Sequence, residues 1–136
     1  MDDKIKDTIE KFTNTEDSTS EFAQEDIDSN KGMAVLSYLG ILFLVPLFAA
    51  RDSMYARFHL NQGIILFIAN IASGIILGVS SIILIFIPFI GILVAQIIEL
   101  AISALVLILM IIGIVNAATG KAKKLPLIGN LFTIIK

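Results

Sequence analysis

The apolar residues of this chain gather into long runs, and the polar residues gather before and between them. Residues 32–50 carry no charged side chain, 58–98 carry none apart from His59, and 100–120 carry none. The runs are continuous and lack the period-two alternation of a half-buried or barrel strand. A helix needs about 20 apolar residues to cross a bilayer. A single helix over 58–98 would be about 60 Å long, roughly twice the hydrocarbon thickness, so this run must turn back on itself. The segment Ile87-Pro88-Phe89-Ile90-Gly91 supplies the turn. Proline disfavours helix at the residue before it, and glycine relaxes the backbone after it. The pattern predicts an all-α, polytopic transmembrane bundle with three spans, over about 33–50, 63–86 and 89–119. The third is long for one crossing and is expected to tilt. Segments 51–62 and 120–136 are expected at the interface.

Composition sharpens this picture. Of 136 residues, 57% are hydrophobic and 16% charged, and the mean hydropathy is +0.91. A compact soluble domain has more polar surface than this leaves. Cysteine is absent, which excludes disulfides and thiolate metal sites in the chain. The net charge of −2 hides a segregation. Residues 1–31 hold ten acids against four bases, whereas 32–136 hold six bases against two acids. Residues 1–31 therefore read as an acidic, largely flexible tail. Within it, Ile5, Ile9 and Phe12 recur at helical spacing, and a second apolar cluster is formed by Phe22, Ala23 and Ile27. The start Met1-Asp2-Asp3-Lys4 is not the basic region of a secretory signal.

Lysine and arginine set the expected orientation. Arg51 and Arg57 come after the first span, and Lys121, Lys123, Lys124 and Lys136 after the third. With three spans these share the cytoplasmic side, and the acidic N-terminus lies outside. In an alternative topology, Pro46 makes 33–50 re-entrant, and the tail is then cytoplasmic. The lysines after the third span are also expected to attract anionic lipid.

Three groups of residues carry the candidate chemistry. Arg57, Phe58, His59, Gln62 and Gly63 stand in the most information-rich stretch, where polar and aromatic residues mix. They form either a contact surface or an interfacial anchor. Ser53 or Asp52 is the expected cap of the helix that begins there. Glu99 is the only acid within the apolar spans, and Gln96 precedes it by three residues on one helix face. An intramembrane charge is a candidate functional residue, and Asn70 is a candidate partner. Gly74 and Gly78 form a GxxxG groove for close helix packing, against the third span or another copy. His59 is the only histidine and has no ligand-type neighbours at metal-site spacing, so no metal or cofactor is expected. No hydrolase, P-loop or zinc-protease motif occurs, and an enzyme is not expected.

The segments Met33–Tyr38, Val45-Pro46-Leu47, Ala56–Gly63, Ile112–Ala117 and Leu125–Gly129 together suggest a family. They resemble a widespread prokaryotic family of small multi-spanning membrane proteins of unknown function. That family is grouped with the twenty-kilodalton component of the chloroplast inner-envelope (Tic) protein import complex. The Arg-Phe-His-x-x-Gln-Gly segment carries most of the resemblance. The plant component has four spans where this chain supports three. The resemblance implies a multi-pass protein of the cell membrane with a link to protein translocation.

Two function classes are compatible with these features. One is a non-enzymatic membrane interaction or assembly component, acting as a homo-oligomer or with another membrane protein. The other is an oligomeric channel, transporter or holin-like pore built on Glu99. Neither involves nucleic acid.

Overall fold

The computed structural model describes residues 2–135. Among these it has five α-helices and no multi-residue strand. They are α1 (Asp3–Thr13), α2 (Gln24–Leu36), α3 (Leu44–Ala49), α4 (Met54–Leu84) and α5 (Ile90–Ala118). Helices α4 and α5 form a long antiparallel hairpin. The other elements gather round the end of it that holds the start of α4 and the end of α5.

Two helices, not three, are long and apolar enough to cross a membrane: α4 with 31 residues and α5 with 29. The expected span over 33–50 is broken into three pieces. Helix α2 ends at Leu36, a 3-10 turn covers Gly40–Phe43, and α3 is six residues long. The break falls at Gly40, whose φ of 59° is a left-handed conformation that glycine adopts without strain. Beyond Gly40 the chain forms an apolar ledge, on which Ile41, Leu42, Leu44, Val45 and Phe48 are all exposed.

The expected tail over 1–31 is helical over Asp3–Thr13 and again from Gln24, and the boundary expected after residue 31 falls inside α2. Asp2 caps α1 by accepting from the Lys4 amide, and Lys11 pairs with Asp7 at 2.7 Å. Phe12 and Phe22 pack against the core, which explains how such a polar segment is held. Acidic composition alone concealed this, because the ordering contacts are made by a few apolar residues with distant partners.

The core sits at the head end of the hairpin. Ile27, Ala34, Tyr38, Tyr55, Leu66, Leu109, Ala117, Ala122 and Leu125 form one buried cluster. Beyond it the hairpin has no cover. Ile68, Ile75, Ile76, Ile82 and Ile83 of α4 and Ile92, Leu93, Ile97 and Leu100 of α5 are exposed. From Leu66 to Leu84 the helix rises about 27 Å, close to the thickness of a bilayer's hydrocarbon. The exposed apolar length therefore matches what lipid would cover. The turn at the far end comes at the proline, as expected, and Phe89 takes a left-handed φ of 62° there.

The segment expected as an interfacial loop over 51–62 is instead mostly the first turns of α4, which begins at Met54. Ser53 caps it, accepting from the Ala56 amide at 3.0 Å.

Candidate functional site

Tyr55, His59 and Gln62 recur on α4 at i, i+4 and i+7, so they share one helix face. All three are buried. That face is turned towards α2, the end of α5 and the C-terminal segment, and each side chain ties α4 to one of them. The Tyr55 hydroxyl donates to the Ala117 carbonyl at 2.9 Å, at the end of α5. His59 Nε2 lies 2.9 Å from the Lys121 carbonyl, and its Nδ1 lies 2.7 Å from the Tyr38 hydroxyl. A carbonyl only accepts, so Nε2 carries the proton and Nδ1 accepts from Tyr38. Gln62 spans two backbone groups of the C-terminal segment. Its Nε2 donates to the Gly129 carbonyl at 3.1 Å, and its Oε1 accepts from the Leu125 amide at 2.8 Å. Asn61 adds a further bond, accepting from the Ile134 amide at 3.0 Å.

Aromatic rings pack edge-on around this line. His59 lies 4.8 Å from Tyr55 and 5.2 Å from Phe58, centroid to centroid, and Phe22 touches both Tyr55 and Phe58. Gly63 is a point of contact with the end of α2. A Cβ built there would lie 1.8 Å from the Ser37 carbonyl oxygen.

Asp26 of α2 closes the cluster from the other side. Its carboxylate accepts from the Ser53 hydroxyl at 2.5 Å and from the Tyr55 amide at 2.9 Å, so it holds the N-terminus of α4. Asp26→Ala is expected to weaken the fold by about 1–2 kcal/mol, the usual loss for a helix cap. Thermal melting tracked by circular dichroism checks this. An unchanged midpoint would mean that Ser53 alone holds the helix start.

The N-terminal arm and the C-terminal segment are also joined. Ser18 N–H donates to the Ala122 carbonyl at 2.9 Å and Lys124 N–H donates to the Glu16 carbonyl at 3.2 Å, which sets the Asp17 and Lys123 backbones opposite each other as an isolated antiparallel β-bridge. The Lys124 ammonium pairs with Glu16 at 2.8 Å. The Thr19 hydroxyl and then its amide, helped by Lys123 and Lys121, hold the Asp17 carboxyl below its usual range. Two expectations change as a result. The two terminal segments lie at the same end of the hairpin, where three full spans would have put them at opposite ends. The basic stretch Lys121–Lys124 faces the acidic arm, so less of its charge is left for anionic lipid. Lys136 lies outside the described residues.

The remaining candidates divide. Phe58, His59, Gln62 and Gly63 do meet in one site, but Arg57 stands outside its hydrogen-bond network. Gln96 and Glu99 meet Ser81 and Ile85 at a cavity of about 230 Å³ near the turn. Asn70 lines a different cavity with Tyr38, Gly63 and Met110. It lies about 21 Å along α4 from the turn, against about 14 Å for Glu99 along α5. The expected Glu99–Asn70 partnership is therefore not formed within the chain. Gly74 and Gly78 have open space where a Cβ would be, so they do not pack α4 on α5.

Sequence reasoning missed Asp26, Tyr38, Tyr55 and Asn61. The spacing of Tyr55, His59 and Gln62 was a usable signal for a buried polar face. Asp26 had no local signal, because its bonds reach 27 and 29 residues along the chain.

Chemically the cluster is closed. Among the described residues, every buried side-chain nitrogen and oxygen has a partner. No group of three or more acids or histidines among them is placed to hold a metal ion. The arrangement clamps four segments together and presents no free nucleophile or base.

Comparison with known proteins corrects the family read from the sequence. Residues 29–132 match the magnetosome magnetite crystal formation protein family, and this overturns the resemblance to the import component. The matched span starts within α2 and takes in the hairpin and the C-terminal segment that the clamp holds. Magnetosome protein MamF of Paramagnetospirillum magneticum is 33% identical over 103 residues, covering 76% of this chain and 82% of the relative. MamF of Magnetospirillum gryphiswaldense is 34% identical over 103 residues with the same coverage. Magnetosome protein MmsF of P. magneticum is 31% identical over 96 residues, covering 71% of this chain and 78% of the relative. No solved structure matches the chain. The match runs through the clamp residues of α4, both long apolar helices and the segment they hold, and on it the chain belongs to the magnetosome magnetite crystal formation protein family.

Proposed function

We propose that this chain takes part in magnetosome magnetite crystal formation as a non-enzymatic assembly component of the magnetosome membrane. Helices α4 and α5 cross the bilayer as a hairpin, and the clamped head lies on one side with both terminal segments. Arg51, Arg57, Lys121, Lys123 and Lys124 lie at that end, and the excess of basic residues on cytoplasmic faces supports a cytoplasmic head. The chain self-associates through one face of the hairpin.

The observation that carries this reading is the unpartnered polar stripe on the hairpin. Gln96, Glu99 and Ser103 recur at i, i+3, i+7 on α5, and all three are exposed. Neither Gln96 nor Glu99 has a side-chain hydrogen bond within the described residues. Gly74 and Gly78 stand at similar depth on α4, with open space beside them. A carboxyl group facing hydrocarbon is costly, and a neighbouring helix relieves it. A second copy in the same membrane, related by an axis along the membrane normal, keeps each residue at its own depth, so the Gln96 amide of one copy lies within one helical turn, about 4.5 Å, of Glu99 on the other. The stripe then supplies both donor and acceptor, as an isologous contact requires.

The absence of native cysteine makes the test clean. Ser103→Cys is expected to form disulfide dimers in membranes, while Ala101→Cys, on the opposite side of α5, does not. Adding Glu99→Leu is expected to lower the Ser103→Cys dimer about fivefold, and Glu99→Gln to leave most of it. Equal crosslinking from both positions, or none from either, would sink the reading.

A further inference from the structure

A second site lies where the hairpin leaves the head. Between α3 and the first turns of α4 is a cavity of about 420 Å³. Pro46, Leu47, Leu60 and Ile135 give it apolar walls, and Arg51 and Arg57 are the charged residues among its described lining. The Arg51 guanidinium sits over the Phe48 ring, 5.4 Å from its centroid, which fixes one cation at the edge. Arg57 is half-buried at the same cavity. Among the described residues, neither arginine has a carboxylate within ion-pair distance, whereas Lys11, Lys31 and Lys124 each have one. The apolar ledge beside the cavity has Val45 and Phe48 exposed, and Phe43 at its start packs edge-on against Phe67, where the uncovered length of the hairpin begins.

We infer that this cavity binds one anionic phospholipid, with its phosphate on Arg51 and Arg57 and the upper part of its acyl chains along Pro46, Leu47 and Leu60. The inference rests on the hairpin lying in a bilayer, as proposed above. Two guanidinium groups offer planar, paired donors to a phosphate, and among the described residues no acid competes for them. A zwitterionic lipid brings a cationic headgroup towards the same two cations and is disfavoured. Free phosphate meets the charges but leaves the apolar walls without a partner.

Full-length chain is reconstituted in phosphatidylcholine nanodiscs with and without a minor fraction of phosphatidylglycerol. It is then released for native mass spectrometry, and retained lipid is counted. The wild type is expected to keep one phosphatidylglycerol with about thirtyfold preference, on the scale of two basic groups near a membrane surface. Arg51→Gln with Arg57→Gln is expected to abolish the preference, while Lys121→Gln with Lys123→Gln keeps it. Arg51→Gln alone changes an exposed side chain, so folding survives, and it should lose at least half of the preference. Retention of the preference in the arginine variants overturns the site. So does loss of it when millimolar inorganic phosphate competes, which would make this a free-anion site. Failure of the chain to enter nanodiscs at all would instead strike the membrane hairpin itself.

Discussion

Gly63→Ala is expected to destabilise the head of this protein more than any other single-methyl change. The added Cβ would lie 1.8 Å from the Ser37 carbonyl oxygen and 2.6 Å from its carbon. Both are backbone atoms, so no side chain can turn aside to make room. Relief requires the end of α2 to move away from α4, and that movement draws Tyr38 from His59, since Tyr38 is the next residue after Ser37. Overpacking of this kind costs about 1–3 kcal/mol, and a backbone clash lies at the upper end. For a chain of this length that is a fall of about 10 °C in the melting midpoint. Circular dichroism of the purified chain in detergent measures it. Gly74→Ala is the matched control, since a Cβ there meets nothing. Equal midpoints for the two variants would show that the α2–α4 contact is not as close as described.

Gln62→Leu is expected to release the C-terminal segment while leaving the hairpin in place. Leucine fills a similar volume but removes a donor and an acceptor. The Gly129 carbonyl and the Leu125 amide would then be buried without partners, at about 1–3 kcal/mol each. The other holds on the segment are the burial of Ala122 and Leu125 in the core and the pairing with the acidic arm, and neither supplies a partner for these two groups. Hydrogen exchange reads the result directly. Protection of amides over 122–131 should fall at least tenfold, and that of α4 beyond Leu66 should hardly change. A uniform loss across both would mean that head and hairpin unfold together. Unchanged protection would mean that Asn61 and the pairing with the acidic arm are enough to hold the segment.

These effects are large because the head is held by a few long-range bonds, which also limits what the sequence shows of it. The two long helices were legible, since each is an uninterrupted apolar run and Pro88 marks the break between them. A third span is not confirmed, because the apolar run over 33–50 is not one continuous helix. Residues 33–50 are apolar enough, but Gly40 turns the chain and α3 stops at Ala49, and hydropathy does not register backbone direction. The Arg-Phe-His-x-x-Gln-Gly stretch was picked out for its mixture of residue types. Its part in clamping backbone carbonyls 62 and 67 residues away could not be read from any local pattern. The family was misread as well: residues 29–132, which include that stretch, match the magnetosome magnetite crystal formation protein family instead.

By itself, the sequence determined that the chain is helical, apolar over most of its length, segregated in charge and turned at Pro88. Each of these comes from local composition and periodicity, which act over a few residues. Tertiary structure alone decided that the acidic arm is ordered, that both terminal segments share one end, and that His59 and Gln62 are buried clamps. It also decided that, among the described residues, Gln96 and Glu99 lack partners while Arg51 and Arg57 share a cavity. Those outcomes depend on groups brought together from distant parts of the chain, and a hydrogen bond or a steric contact between such groups has no signature at either residue alone.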